Sequence, residues 1–264
     1  MENDNQHGDS EMSNLLNALC LLGDLKIQCE ALLSVITNDR AKYYLLYGIG
    51  RRLSIIMENL EYFYQSVSPI RQAPLDKTSL ATVHINSLYV NLCGTIDNIG
   101  WVLAYEFNFY PNTVDIEESK ERNEINLFHN KFLLKISRIN STFNEYRDYI
   151  ITKTEWHKEL LKSRHPSTHR IPLYIIPSVL NKLESEKYIH HQEQHLEEAL
   201  KLNIETADEH FNQMNSLGTF IPLFAHDPDI APSPIYPTII TDCENLIEIV
   251  SNFLTCVGHS FKQK

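Results

Sequence analysis

Apolar residues recur three and four positions apart along most of this chain, and that spacing predicts helices. Each predicted helix has one apolar face and one polar face, as in helices that pack against one another. No segment shows the sustained alternation of a strand. The sequence therefore predicts an all-α fold, an up-down helical bundle with additional peripheral helices. The apolar stripes cover residues 15–36, 46–67, 85–103, 125–150 and 243–261.

The fourth stripe is the longest, and its face extends through His157 and Leu161 to Arg164. We expect the helix to end there, on the bundle-facing side, because Pro166 disfavours the helical conformation for the residue before it. In the segment from Arg170 to Pro177, Pro172 and Pro177 bracket an apolar run, Leu173 to Ile176, that is too short for a helix, so it predicts an extended segment laid over the bundle. A peripheral helix is expected from Ser178 to about Met214.

Length and composition fit a globular protein. The chain has 264 residues, of which 43% are hydrophobic and 22% charged. The acidic residues 1–11 are expected to form a disordered tail, and residues 12–264 a single helical domain.

The net charge of −11 is unlike that of a protein that coats nucleic acid. Any contact with RNA must therefore come from a local basic region. One such region contains Lys153, Lys158, Lys162, Arg164 and Arg170. The alternative is that these cations only complement the dipole at a helix C-terminus.

The cysteines number five, are widely spaced and contain no CxxC pair, which predicts buried thiols in a reducing compartment. No signal pattern or membrane-spanning run is present, so we expect a cytoplasmic protein without membrane contact. His191 and His195 are four residues apart on a polar helix, where a solvated face is a better explanation than a metal site. We expect neither a metal nor a cofactor.

One short segment carries the most chemistry. Arg164 and His169 lie five residues apart, and His165 follows the arginine. An arginine always carries its charge and can hold a phosphate, whereas a histidine titrates near neutrality and can transfer a proton. These are the groups that cleavage of a phosphodiester without a metal requires. The alternative is structural: Arg164 caps its helix and His169 is a buried, hydrogen-bonded side chain.

A second candidate is Asp97, an acid on an otherwise apolar predicted helix, between Gly94 and Gly100. The glycines permit close approach of another helix, and we expect Asp97 to lie within reach of Arg164, His165 or His169. The alternative is a carboxylate at the helix surface, or one that forms a salt bridge with some other lysine or arginine. Gly48 and Gly50 precede Arg51-Arg52, but no strand comes before them, so this segment is not a phosphate-binding loop.

The segment from Arg164 to His169 resembles the arginine, polar residue, spacer, histidine signature of HEPN domains, the higher eukaryote and prokaryote nucleotide-binding superfamily. The extension through Arg170, Ile171, Pro172, Leu173 and Tyr174 is similar to a bacterial subgroup of uncharacterised HEPN-like proteins, as is the stretch from Asp97 to Trp101. The resemblance implies a helical bundle that forms a homodimer, with the motifs facing a shared cleft. It also implies that Arg164 and His169 are the site pair, with His165 as the polar helper. Asp97 and Arg170 are supporting candidates.

Many members of that superfamily are metal-independent ribonucleases of stress, toxin–antitoxin or phage-defence systems, and others bind RNA or nucleotides without cleaving them. The resemblance therefore implies an endoribonuclease that acts on single-stranded RNA, with an antitoxin or defence protein as a further partner. Two alternatives stay open: a non-catalytic module that binds RNA or a nucleotide, and a protein-interaction module.

Overall fold

The N-terminal part of the chain folds into helices, as the apolar stripes predict. In the computed structural model, the first elements are α1 (Glu2–Leu32), α2 (Asp39–Tyr43), a π-helix (Tyr44–Gly50), α3 (Arg51–Ser66) and α4 (Leu75–Glu106). The structure describes residues 2–69, 75–113, 115–169, 171–176, 178–219, 223–226 and 231–262. It describes the backbone alone at residues 2–9, 75–76, 165–169 and 262.

The middle of the chain contains four shorter helical elements. They are a 3-10 helix (Lys120–Glu124), α5 (Asn130–Ile136), α6 (Ser141–Thr152) and α7 (Thr154–His169). The remaining elements are β1 (Tyr174–Ile176), α8 (Lys182–Leu200), α9 (Ile204–Asn215), β2 (Leu223–Ala225), β3 (Ser233–Pro234) and α10 (Ile235–Lys262).

The apolar stripes meet in the centre of a helical bundle. Helix α1 packs against α3 and α10, α3 packs against α4, and α10 also contacts α4 and α6. Leu22, Leu53, Ile96 and Val250 of these four long helices are completely buried and belong to one hydrophobic cluster. The prediction of an all-α bundle is confirmed.

Helix α1 begins earlier than the sequence indicates. We expected residues 1–11 to form a disordered tail, but the helix includes residues from Glu2 onward. Contact with the bundle starts before the first leucine of the stripe, because Glu11 is buried and Met12 packs against the core. These contacts support one further turn, and the helix continues from it towards the N-terminus.

The predicted long fourth helix is wrong, since the chain breaks it into α5, α6 and α7. Asn140 adopts an extended backbone, with φ −168°, and its side chain accepts the N–H of Phe143 at 3.0 Å. This is a helix N-cap, which ends the preceding element and starts α6. An asparagine within an apolar stripe was the local signal for the break.

The predicted helix end beside Pro166 is also wrong. Helix α7 continues to His169, so that Arg164 lies within the helix and not at its end. Proline lacks the N–H that would bond one turn back, and it disfavours the helical state of His165. Both effects are local preferences, and the packing of α7 on α4 outweighs them.

The segment after α7 is extended, as predicted, and it pairs into a small antiparallel sheet that the sequence did not indicate. Strand β1 pairs with β2, and β2 pairs with β3, with Ile175 opposite Phe224. Asn86 of α4 fastens this segment to the bundle through both backbone groups of Leu173. The Leu173 N–H donates to Asn86 Oδ1 at 2.9 Å, and Asn86 Nδ2 donates to the Leu173 carbonyl at 2.8 Å.

The predicted peripheral helix from Ser178 to Met214 is a helical hairpin of α8 and α9. Leu202 has a positive φ of 59°, which no helix interior allows, and it turns the chain between the two helices. Asn203 Nδ2 donates to Glu198 Oε2 at 2.8 Å and stabilises this turn. In the part of the chain that the structure describes, no helix is both long and apolar enough to cross a membrane.

Candidate functional site

A buried carboxylate fixes helix α7, which carries Arg164. Asp242 of α10 accepts the Trp156 Nε1–H at 2.8 Å and the Tyr89 hydroxyl at 3.0 Å. Trp156 belongs to α7 and Tyr89 to α4, so one side chain joins three helices. Burial raises the pKa of Asp242 to about 6, although both hydrogen bonds act to lower it.

Three charged side chains from three helices come together on one side of this junction. Arg52 lies on α3, Asp97 on α4 and Arg164 on α7, and all three are partly buried. Burial raises the pKa of Asp97, whereas the charges of Arg164 and Arg52 act to lower it. Burial lowers the pKa of Arg52, with Asp97 acting in the opposite direction and Arg164 adding to the decrease. We call these residues the Arg52–Asp97–Arg164 cluster.

Two residues of α4, Asn91 and Gly94, determine the position of the Arg52 side chain. Its Nη1 donates to Asn91 Oδ1 at 2.9 Å. A Cβ atom at Gly94 would lie 2.6 Å from the same Nη1, which is closer than any real contact of that kind. The absence of a side chain at position 94 therefore makes room for the guanidinium group beside the helix.

The cluster has an excess of positive charge. Two guanidinium groups share one carboxylate, so the three residues carry a net charge of +1 within a chain of net charge −11. Guanidinium groups bind phosphates well, because their planar set of donors matches the phosphate oxygens. Chemically, this arrangement favours the binding of an anion.

A thiol lies beside the cluster but is not a nucleophile at neutral pH. Burial, followed by the charge of Asp97, raises the pKa of Cys93 to about 12, while Arg164 acts to lower it. The thiol therefore keeps its proton, and thiolate chemistry at Cys93 is not supported.

An open groove borders the cluster on the side of α3. Its cavity volume is about 350 Å³. Arg52 and Asn91 form part of its lining, as does Asn98, the neighbour of Asp97 in the sequence. The other lining residues are Tyr43, Tyr44, Tyr47, Gly48, Arg51 and Ile55.

Of the candidates from the sequence, the structure brings Arg164 and Asp97 together, since their charges interact. The backbone of His165 and His169 lies in α7, and the side chains of both are outside the description. Arg170 lies outside the described residues. The positions of Arg164 and His169 on one continuous helix are about 7.5 Å apart along its axis.

His191 and His195 of α8 have a structural role and are not paired with each other. His191 Nδ1 lies 3.1 Å from Nδ1 of His210 on α9. His195 Nδ1 is hydrogen-bonded to the Ala207 carbonyl at 2.8 Å. Both contacts hold the hairpin together. Among the described residues, no group of three or more histidine, cysteine and acidic side chains is placed to bind a metal ion.

Sequence reasoning missed Arg52 and Asn91. No strand precedes the Gly48-x-Gly50 segment, which excludes a phosphate-binding loop there. That exclusion gives no hint that one of the arginines that follow takes part in a charge cluster. The signal was on α4 instead, where Asn91, Gly94 and Asp97 recur every three residues beside the apolar stripe. A stripe of polar and small residues next to a core-facing stripe indicates that a polar side chain from another helix packs there.

Comparisons with known proteins add no family to this description. No family model, no curated protein and no solved structure matches the chain.

Proposed function

We propose that this chain acts on single-stranded RNA and that the Arg52–Asp97–Arg164 cluster holds a phosphate of the RNA backbone. The observation that carries the proposal is the excess positive charge of the cluster: two guanidinium groups share one carboxylate in an otherwise acidic chain. RNA is the phosphate carrier that the HEPN-like signature from Arg164 to His169 suggests. Arg52 of the cluster lines an open groove, so an anion has access to that guanidinium group.

The proposed reaction is cleavage of the RNA backbone without a metal. Arg164 stabilises the extra negative charge that develops on the phosphate when the ribose 2′-oxygen attacks the phosphorus atom. His169 takes the proton from the 2′-hydroxyl or gives one to the leaving 5′-oxygen. His165 positions His169 or the phosphate. The products are a strand with a 2′,3′-cyclic phosphate and a strand with a free 5′-hydroxyl.

The second candidate is a module that binds RNA without cleaving it, and the geometry of α7 gives it specific support. Residues three or four apart are neighbours on a helix surface. Arg164 and His169 are five apart on a helix that runs without interruption through both. The charge cluster does not need His169, so binding requires less of the site than cleavage does.

Cleavage of a labelled single-stranded RNA in EDTA tests the proposal. We expect His169→Ala to lower the rate by about 10²- to 10⁴-fold, the usual cost of losing a general acid–base group. Arg164→Ala should lower it by about 10²- to 10³-fold, the usual cost of losing a group that stabilises the developing charge. Lys162→Ala is the matched control for the arginine, because Lys162 lies two residues away on α7 and pairs with Glu159 at the surface. His190→Ala, at an exposed position of α8, is the control for the histidine.

The binding assay separates the two candidates. Under the cleavage hypothesis, the His169→Ala variant still binds RNA, because the arginines supply the attraction. Under the binding hypothesis, the unchanged protein does not cleave, and affinity is lost mainly with Arg164. A protein that neither cleaves nor binds RNA would contradict both and leave the signature as part of the scaffold.

A further inference from the structure

The groove beside the charge cluster has an aromatic wall. Tyr43 and Tyr47 are 52% and 44% exposed, and their ring centroids lie 5.2 Å apart. The guanidinium carbon of Arg51 lies 4.4 Å from the centroid of the Tyr47 ring. Two accessible aromatic rings and a stacked guanidinium group thus lie side by side at the surface. Such side chains present flat faces on which a nucleic-acid base can stack.

The opposite side of the groove is polar. Asn91 and Asn98 of α4 contribute amide groups, and Arg52 contributes its guanidinium group. Asn98 lies close to the π-helix, because a Cβ atom at Gly48 would be only 2.7 Å from Asn98 Cγ. The groove therefore combines an aromatic face, a cation and amide groups that both donate and accept hydrogen bonds.

The backbone beneath the aromatic wall is held in an uncommon conformation. Residues Tyr44–Gly50 form a π-helix, a rare element that occurs frequently at functional sites. The Tyr44 ring stacks on Trp101 and Tyr105 of α4, with centroids 5.2 and 5.8 Å away. This stack attaches the π-helix to the bundle, so the neighbouring Tyr43 and Tyr47 are presented from a supported backbone.

The groove also connects with the charge cluster. Arg52 lines the groove and interacts with both Asp97 and Arg164, so an anion at Arg52 lies next to the proposed phosphate site. The cavity volume of about 350 Å³ falls within the range of small-molecule pockets. A ligand that suits the groove has a flat aromatic part and an anionic part close to it. A nucleotide unit has both.

We propose that this groove binds one nucleotide of single-stranded RNA, with the base stacked on the face of Tyr47 that Arg51 leaves open and a phosphate held by Arg51 and Arg52. The inference rests on the proposed function in taking RNA as the ligand. It adds a binding subsite next to the phosphate of the cluster, and it assigns the base contacts to residues outside the HEPN-like signature. The amide of Asn98 faces the edge of the bound nucleotide, while Asn91 holds Arg52 in place.

Fluorescence of a short single-stranded RNA with one 2-aminopurine tests the subsite directly, because stacking on an aromatic ring quenches this base. We expect quenching with the unchanged protein and its loss with Tyr47→Ala, together with a roughly five- to hundredfold weaker affinity. Tyr47→Phe keeps the ring and retains both signals. Arg51→Ala weakens binding and reduces the slope of log affinity against log salt by about 0.7, the share of one phosphate on a single strand.

The matched controls are an exposed tyrosine and a partly exposed arginine outside the groove. Tyr62 is 51% exposed on α3 and stacks on His84, and Arg147 pairs with Asp148 on α6. Tyr62→Ala and Arg147→Ala should leave quenching and affinity unchanged. Thermal unfolding of every variant tests whether the fold is intact.

Three outcomes would overturn the subsite. The first is full quenching and affinity in both Tyr47→Ala and Arg51→Ala. The second is binding of free adenosine 5′-monophosphate as tight as that of the RNA, which would assign the groove to a free nucleotide. The third is a loss of affinity that follows the dissociation of a dimer in sedimentation velocity, which would assign the aromatic wall to an interface between copies of the chain.

The subsite and the proposed reaction fail in different assays. If the protein binds RNA at the subsite but does not cleave it, the quenching result stands and the catalytic proposal is wrong. A protein that cleaves RNA with unchanged KM in Tyr47→Ala contradicts the subsite and leaves the catalytic proposal in place. When both hold, Tyr47→Ala raises KM with little change in kcat, whereas Arg164→Ala lowers kcat.

Discussion

Asp97 shows how one side chain sets the chemistry of its neighbours. It is partly buried between two guanidinium groups, and burial works against its charge while Arg164 and Arg52 support it. In return, its carboxylate reduces the repulsion between the two arginines. It also reduces their attraction for an anion. On balance burial outweighs the two arginines, so the fold disfavours the charge of Asp97, and the same charge lowers the affinity for RNA.

Asp97→Asn should therefore raise RNA affinity without lowering stability at neutral pH. The neutral amide avoids the cost of burying a charge, which outweighs the support from the two arginines, so we expect the free energy of unfolding at pH 7 to be no lower than that of the unchanged protein. The affinity for single-stranded RNA should rise roughly two- to fivefold, because one repulsive charge is gone. Urea unfolding and fluorescence anisotropy measure the two effects. Asp208→Asn, at an exposed position of α9, is the control, and weaker RNA binding by Asp97→Asn would contradict the prediction.

A substitution at Gly94 can displace the guanidinium group of Arg52 without deleting that side chain. An alanine methyl group would take the space of the guanidinium group, which must then swing away from Asn91. The guanidinium group is the mobile end of a long side chain, and alanine favours a helix by about 1 kcal/mol over glycine, so the fold should survive. We expect Gly94→Ala to weaken RNA binding about as much as Arg52→Ala does.

Gly258→Ala is the matched control for this change. Gly258 also lies in a helix, and a Cβ atom there meets nothing within 4 Å. This variant should gain a small amount of stability and bind RNA normally. Normal binding by Gly94→Ala as well would show that the position of Arg52 does not matter.

Secondary structure could be predicted where apolar periodicity alone decides it. The stripes of α1, α3, α4 and α10 are regular, and these helices form as expected. Prediction failed where the conformation of a single residue decides the outcome, as at Asn140, whose cap divides a long stripe, and at Leu202, whose positive φ turns the α8–α9 hairpin. Such effects depend on the conformation of one residue and leave little trace in a periodic pattern.

The charge cluster was only half predictable for a related reason. Arg164 and Asp97 could be chosen because their residue types are unusual at apolar helix faces. Arg52 could not, because its role depends on the packing of α3 against α4 at Gly94, and that contact is between positions 42 residues apart in the sequence. The register in which two helices pack depends on how their side chains fit together in three dimensions. A periodic pattern in the sequence does not specify that fit.

The junction at Asp242 makes the position of α7 sensitive to pH. The ordinary pKa of an aspartate is 3.8, and burial raises that of Asp242 to about 6. An acid whose pKa is raised on folding stabilises the fold when it is protonated. That contribution is fully present below pH 3.8 and is lost as the pH rises through about 6. By linkage it is on the order of 3 kcal/mol.

Comparison of the unchanged protein with Asp242→Asn isolates this effect. The variant stays neutral, so its free energy of unfolding should not show the decrease between about pH 4 and pH 7 that Asp242 imposes. Urea unfolding across this range measures the difference between the two proteins. Asp148→Asn, at an exposed side chain of α6, should follow the unchanged protein. A constant difference between the Asp242→Asn variant and the unchanged protein at every pH would contradict the raised pKa.

At the scale of the whole molecule, the surface leaves several apolar side chains exposed. The apolar run after α7 is a candidate interface for the homodimer that the resemblance to HEPN domains implies. Leu173 and Ile175 are buried within the chain itself, while Ile171 stays 59% exposed and Tyr174 37%. The homodimer stays a prediction, and Ile171 is the residue of that run with the most surface left to contribute.

The overall charge sets the salt dependence of RNA binding. A chain of net charge −11 repels RNA over most of its surface, so the attraction must come from Arg51, Arg52 and Arg164. Asp97 cancels one of these charges, which leaves a net two phosphates neutralised. Each phosphate neutralised on a single strand contributes about −0.7 to the slope of log affinity against log salt, so we expect a slope of about −1.4.

Anisotropy titrations with a labelled single-stranded RNA at several potassium chloride concentrations measure this slope. Arg52→Ala should make it shallower by about 0.7, whereas Lys162→Ala, whose charge is paired with Glu159, should not change it. A slope steeper than about −4 would require six or more phosphate contacts and therefore a broad basic surface. This fold provides for a narrow one, because the three arginines that carry the proposal lie where α3, α4 and α7 meet, in a chain whose net charge is −11.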